Sequence, residues 1–364
     1  MPPWHEPWSP QLKHVAITWG SLVKQIIFYA DALNLKYPGY IKILDPLITR
    51  VDARVVSSYD EAREYSRLGH IVIPFGAITS YQCRNDTYRL SYLVDSPTLC
   101  FGSIIRFHFK RRHYTSSQIW LNLLRYVKYY IYELAIIRSY SKVILAAKQD
   151  AAHINMKYDV NKAVAIENGI DLPKVQRERC NSPVGSYPRL GYLNFWGPWR
   201  QHDFEWFANE IWPTCKLFYP NAELIIAGRG ATPELEKYFL DRGFKFMGAV
   251  NTLDEFFTEV DVFVTSIRKE CGILNKILDA FAFQVPVLSF VNNAHPFRTE
   301  SPFFYEYENV EDFISALEHI RLNPEEVGDY VQRARAYLHK YHDWDKQAAE
   351  FLRLVNEVYG DTWR

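Results

Sequence analysis

Ser266-Ile267-Arg268-Lys269-Glu270-Cys271-Gly272-Ile273-Leu274-Asn275-Lys276-Ile277-Leu278-Asp279-Ala280 is the stretch that decides the fold. It lies between a short apolar run at 262–265 and a second one at 285–290, with a helical pattern over 275–283. Strand, glycine-bearing loop, helix and strand make the repeating unit of a parallel sheet covered by helices. In such sheets a ligand sits beyond the carboxyl ends of the strands, against a helix N-terminus. This loop is therefore where chemistry is expected. Gly272 lets backbone N–H groups approach an anion closely. Lys276 falls in the first helical turn, where a lysine opposes the helix dipole, and a bound phosphate would supply the missing negative charge. Asp279 shares the helix face of Lys276, and its carboxylate suits two adjacent ribose hydroxyls. An exposed i, i+3 ion pair, worth roughly a few tenths of a kcal/mol, accounts for the same spacing. Spacing alone leaves both readings open.

The alternation extends in both directions. Strands are expected at 189–193, 223–227 and 244–247, with helices over 203–218, 233–242 and 253–260; Thr252 is placed to cap the last of these. Three helical patterns, about 310–321, 325–341 and 344–359, close the chain. In the first half, the run at 14–18, then Trp19-Gly20-Ser21 and a helical pattern through Lys36, read as strand, turn and helix. Further apolar runs at 54–56, 71–73, 92–94 and 143–145 alternate with helical patterns, notably over 117–140. Glu167-Asn168-Gly169-Ile170-Asp171-Leu172-Pro173 breaks the alternation, and the polar residues to Pro188 read as a linker. The expectation is α/β throughout: two Rossmann-like doubly wound domains facing a central cleft. The first covers 1–170 and the second 171–342, with the last helix, about 343–360, placed to pack back on the first.

The chain's 364 residues, 48% hydrophobic and 23% charged, suit two globular domains and exclude a disordered or fibrous protein. The 16% aromatic content suits a large core or stacking surfaces for ring-shaped ligands. Net charge is zero but unevenly spread. Residues 1–170 hold 21 Lys and Arg against 13 Asp and Glu, and the remainder 21 against 29. Opposite halves could attract across a cleft, or the basic half could face an anionic surface; a chance partition of solvated charge looks the same. Cys83, Cys100, Cys180, Cys215 and Cys271 form no CxxC pair, which argues for reduced thiols and against a disulfide framework or zinc site. The opening residues lack a signal-peptide pattern. The apolar stretch over 121–147 is interrupted by Arg125, Lys128, Glu133, Arg138 and Lys142, so no spanning helix is expected there.

Gly272-Ile273-Leu274-Asn275-Lys276-Ile277-Leu278-Asp279-Ala280-Phe281-Ala282-Phe283-Gln284-Val285-Pro286-Val287-Leu288 resembles the signature of family 4 retaining glycosyltransferases. That signature runs roughly Gly-Ile, two variable residues, Lys-x-Leu-Glu-Ala, a small-residue stretch and Pro-Val. Asn168-Gly169-Ile170-Asp171, then Gly191-Tyr192-Leu193 with Trp206-Phe207 and Ile211-Trp212-Pro213, resemble family segments in their usual order. Ala227-Gly228-Arg229-Gly230 and Gly248-Ala249-Val250 do so too, and the likeness spans about 150–360. In the first half, Asp95-Ser96 and the helix through Glu133 are similar to some members.

The resemblance implies the GT-B architecture, with a nucleotide-sugar donor held mainly by the C-terminal domain. Carried over, Asp279 matches the ribose-binding glutamate, one methylene shorter. Lys276, Arg229 and Arg200 would face the diphosphate, supported by the backbone of Gly272, Ile273, Leu274 and Asn275. Val250 would lie beside the base, and Gly20 would turn close to the donor. Eight residues before Asp279, where the family often has a second glutamate, stands Cys271, with Glu270 adjacent. Glu270 and Asp95 are thus the catalytic candidates. Asp95 ends an apolar strand, where it could equally cap a turn. Gly20, His108 and His113 are further catalytic candidates of the first half; the basic run 106–113 that holds the two histidines could touch a phosphorylated or anionic acceptor or a membrane surface, or form a solvated face.

The implied reaction is retaining transfer of a hexose to a glycan or glycoprotein acceptor. GDP-mannose is the first donor expected, UDP-glucose or UDP-N-acetylglucosamine next. A non-catalytic nucleotide- or glycan-binding protein of the same shape is the alternative. No cofactor and no essential divalent metal are expected. Asp343-Trp344-Asp345 reads as a helix cap, and Gly228-Arg229-Gly230 lacks the third glycine of a dinucleotide fingerprint. Nucleic acid is not an expected partner. Peripheral membrane contact through the basic half, a homo-oligomer and a cytoplasmic location are compatible with this reading.

Overall fold

The computed structural model describes residues 25–30, 38–110, 117–172, 188–196, 201–297, 299 and 301–360. Strand β1 (Ile26–Tyr29) is an unbroken apolar run with every residue buried. This corrects the helix expected through Lys36, because periodicity does not separate a short apolar run in a buried strand from one in a buried helix. Ile26 and Phe28 enter one core cluster and Ile27 and Tyr29 another, as a strand covered on both faces requires. The run at 14–18 lies outside the described residues.

Strand β1 pairs in parallel with β2 (Arg54–Val56) and β3 (Ile71–Pro74), Ile27 lying opposite both Arg54 and Val72. A bridge from Phe75 to Tyr92 leads to β4 (Leu90–Val94), which continues in parallel to β5 (Lys142–Leu145) and β6 (Ala163–Ala165). The other sheet contains β7 (Arg189–Leu193), β8 (Glu223–Ala227), β9 (Lys245–Phe246), β10 (Val262–Thr265), β11 (Val287–Phe290) and β12 (Tyr305–Tyr307), all parallel. Its order is β12-β11-β10-β7-β8-β9. The chain moves outward from β7 to β9, then returns to the other side of β7 at β10. That reversal opens a crevice between the carboxyl ends of β7 and β10.

Leu224 and Ile226 face one cluster with Phe204, Phe207 and Phe239; Ile225 and Ala227 face the other with Phe256, Phe263 and Phe281. The helix expected over 203–218 is present but includes a π-helical turn at Phe207–Ile211. Pro213 follows it, and a residue without an N–H cannot continue the ordinary helical ladder. Thr252 caps its helix as its position suggested, accepting from Glu255 N.

The chain crosses between the two sheets at 166–170 and returns at 342–344. His342 Nδ1 donates to Asn168 O (2.7 Å), and Ile170 N donates to His342 O (2.8 Å). A Cβ on Gly169 would lie 2.4 Å from the Trp344 ring, so glycine is needed for this crossing. The Trp344–Tyr359 helix then buries Trp344, Phe351, Leu354 and Val355 beside Phe28, Leu44 and Leu47. Among the described residues no helix is long and apolar enough to cross a membrane.

Candidate functional site

The Asn275–Ala282 helix follows β10 at this crevice and reaches the end of β7 through Lys276. Leu274 is its N-cap residue and has no side chain able to accept a hydrogen bond; the first turn holds no acidic residue. The helix therefore opens on the crevice with amide N–H groups that no capping side chain satisfies, which is the requirement for anion binding. Lys276 reaches back across the crevice floor, its Nζ donating to Leu193 O (2.8 Å) and Asn194 Oδ1 (2.9 Å). Its ammonium is thereby held at the carboxyl end of β7. Asp279, one turn along, is buried at 5% exposure and Lys276 is half-buried, so the pair is not the exposed ion pair considered above. Asn275 Oδ1 accepts from Asn168 Nδ2 (2.8 Å), joining the helix mouth to the interdomain crossing.

The neighbouring turns are drawn together by backbone bonds. Asn194 N donates to Ala227 O (3.0 Å), Trp196 N to Arg229 O (2.8 Å), and Gly228 N to Gly248 O (2.8 Å). Gly228 has φ +133, and a Cβ there would sit 1.6 Å from Asn194 O, so only glycine permits this contact. Arg229 is exposed at the rim and Val250 is half-buried beyond Gly248. Gly20, Arg200 and His113 lie outside the described residues, as does the side chain of His108.

The loop over 266–272 is held against the N-terminal half. Gly272 N donates to Asp150 Oδ1 (3.0 Å), and Gln149 Nε2 donates to Gly272 O (3.1 Å). Gly272 has φ +68, and a Cβ would lie 2.1 Å from Asp95 Oδ1. Asp95 thus sits directly over the glycine, with Lys269 Nζ 3.1 Å from its Oδ2. The preceding residue, Val94, has φ +74, an uncommon conformation for a β-branched residue, and the register slips between Tyr92 and Val94. That strained corner turns Asp95 out of the strand. Glu270 pairs with Arg106 (2.6 Å), and its N–H donates to Ser103 Oγ (3.0 Å). Its carboxylate is thereby tied to the Pro97–Lys110 helix. Ile273 packs on the core behind the loop.

Asp150, which the sequence reading did not single out, joins the two halves. Its Oδ2 accepts from Ser96 N (2.6 Å) while Oδ1 holds Gly272. Burial, then the charge of Asp95, raises its pKa, opposed by those two N–H bonds. The only available signal was its place in the first turn of the helix after β5. The Ser96 turn is braced in addition by Glu133, which accepts from Ser96 Oγ (2.9 Å), Thr98 Oγ1 (2.6 Å) and Tyr158 Oη (2.9 Å). Cys271 is buried, and burial together with Cys100 pushes its thiol pKa upward. Among the described residues, no three His, Cys, Asp or Glu side chains gather where they could hold a metal ion.

Residues 188–323 match the family model described as glycosyl transferases group 1. The fold is that of GT-B glycosyltransferases. Solved structures similar to this chain include Anabaena HepE in complex with UDP and glucose: TM-score 0.59, 14% identity, covering 92% of this chain and 99% of that one. Sucrose-phosphate synthase from Thermosynechococcus elongatus has TM-score 0.69 and 12% identity, covering 93% and 100%. A point mutant of S. aureus TarM in complex with fondaparinux, α-GlcNAc-glycerol and UDP has TM-score 0.60 and 14% identity, covering 81% and 58%. No curated protein matches the chain by sequence.

Proposed function

We propose that the chain is a glycosyltransferase that takes a hexose from a nucleoside-diphosphate sugar. The observation that carries this reading is the uncapped mouth of the Asn275–Ala282 helix at the sheet's switch point, with Lys276 fixed across it. The match of 188–323 to glycosyl transferases group 1 supports it independently. In this reading the helix mouth, Lys276 and Arg229 receive the diphosphate, Asp279 the ribose hydroxyls, and Val250 lies by the base. Asp95 overhangs the loop at Gly272 and so faces the donor sugar from the N-terminal half.

When the glycosidic bond to the nucleotide breaks, negative charge develops on the leaving diphosphate and positive charge on the sugar carbon. Backbone donors and a preplaced lysine stabilise the former without reorganising, each charge-assisted bond contributing about 1.5–3 kcal/mol. Retention follows if the acceptor attacks from the leaving-group side and the departing phosphate takes its proton. This route needs no enzyme nucleophile. Of the donors considered, UDP-glucose and UDP-N-acetylglucosamine move ahead of GDP-mannose, because the HepE and TarM structures hold UDP. The acceptor class is a glycan or glycoprotein.

Calorimetric titration of UDP, GDP and their sugar conjugates tests the assignment. Binding of one conjugate, weakened about 10- to 100-fold in Lys276→Ala, is expected, followed by transfer or slow hydrolysis of the sugar. Binding without turnover would favour a non-catalytic nucleotide-binding role, and no binding would remove the donor site.

A further inference from the structure

We propose that the outward face of the Ser117–Ser139 helix docks the chain on an anionic lipid bilayer. A helix on a protein surface normally turns polar residues to water. Here Trp120, Leu124, Val127 and Ile131 are 64%, 70%, 51% and 53% exposed. Their spacing of four, three and four residues places them in one stripe, about 17 Å long at the helical rise. Leu121, Leu123 and Tyr130 are exposed beside them.

The helix cannot rotate to bury this stripe, because its opposite face is already occupied. Ile119, Asn122, Glu133 and Ile136 are buried there. Tyr132 stacks on Tyr81 (3.9 Å between ring centroids), Tyr129 stacks on Phe101, and Glu133 holds the Ser96 turn. Large apolar side chains are exposed elsewhere too, Met156, Leu217 and Leu240 among them, but four in register along one helix make a contiguous face, which marks a contact surface.

Charge decides which partner. Between Ser96 and Glu133 the sequence has no Asp or Glu, while Arg106, Lys110, Arg111, Arg112, Arg125 and Lys128 fall within it. The stripe's spacing also matches a coiled-coil seam. A second copy, however, would bring Arg125 and Lys128 against their own kind. An anionic bilayer satisfies both features, accepting Trp and Leu side chains at the headgroup boundary and attracting the ammonium of Lys128, exposed on the same helix. Since no described helix qualifies to span a membrane, the contact lies along the surface. The basic excess of residues 1–170 has the same sign.

Flotation of the full chain with vesicles tests this. One set is phosphatidylcholine alone, and the other includes roughly a quarter phosphatidylglycerol. The chain is expected to float with the anionic set and to be released by salt. Leu124→Glu with Ile131→Glu should weaken flotation at least about tenfold for each site. Lys128→Gln should weaken it about fivefold, on anionic vesicles only. All these positions are on the solvent side, so circular dichroism and sedimentation should report an intact fold. A wild-type chain that floats with neither set, or equally with both, overturns the proposal. So does a Leu124→Glu, Ile131→Glu chain that is intact and floats like wild type. Self-association lost in that variant, without flotation in the parent, would assign the face to a second copy instead.

Discussion

Replacing Gly272 by alanine perturbs the point where the two halves of the molecule meet. Two costs arise. The first is conformational: φ is +68, and an L-residue there costs about 1–2 kcal/mol. The second is steric. The new Cβ would stand 2.1 Å from Asp95 Oδ1, where ordinary contact begins near 3.4 Å. Asp95 must move by more than an ångström, which breaks its 3.1 Å ion pair with Lys269. The two side chains are 35% and 17% exposed, so solvent screening limits the pair to about 1 kcal/mol. Gly272→Ala is therefore expected to destabilise the chain by about 2–3 kcal/mol in urea unfolding. Asp95→Ala removes both the obstacle and the ion pair. In the double variant only the conformational cost should add to that of Asp95→Ala, leaving it about 1 kcal/mol more stable than the sum of the singles. Strict additivity, or a Gly272→Ala chain as stable as wild type, would show that the loop is not pressed against Asp95.

Asp150 has its folded-state pKa raised, chiefly by burial and then by Asp95, so it holds a proton in the folded chain at pH values where the unfolded chain has released it. Its contribution is thus fully present below the unfolded value near 3.9 and is lost as pH rises through the folded value of about 8. Asp150→Asn should flatten the loss of urea stability between pH 6 and about 8; a profile as steep as wild type would refute this. His342 has the opposite sign, its pKa lowered by burial, so stability should fall as pH drops below about 6.5, and His342→Gln should blunt that acid limb. Trp344→Ala empties a core position against Phe351 and Gly169 and should cost about 3–5 kcal/mol by denaturant unfolding.

The amino-acid sequence determined what is local. Alternating apolar runs and helical periods were enough to locate β8 and β10 at their limits, and Thr252 marked a helix start by its own side-chain chemistry. The loop over 266–280 was legible for the same reason: glycine, lysine and aspartate at fixed spacings constrain one strand-to-helix turn wherever it is placed. Readings failed where a local pattern fits two structures. Ile26–Tyr29 is a strand because β2 and β3 flank it, and a four-residue apolar run contains nothing that says so. Burial of Asp279 likewise depends on what lies over its helix.

Only the tertiary structure could bring Asp150 to Gly272, 122 residues away, or set Asp95 over the same glycine. Those contacts are made by segments that follow strands of two different sheets, and their positions follow from strand order, which leaves no mark on sequence spacing. The stripe at Trp120, Leu124, Val127 and Ile131 shows the same limit. Its period is visible in the sequence, but a helical period does not say which face is buried. That was settled by Tyr81, Phe101 and Ser96 occupying the other side.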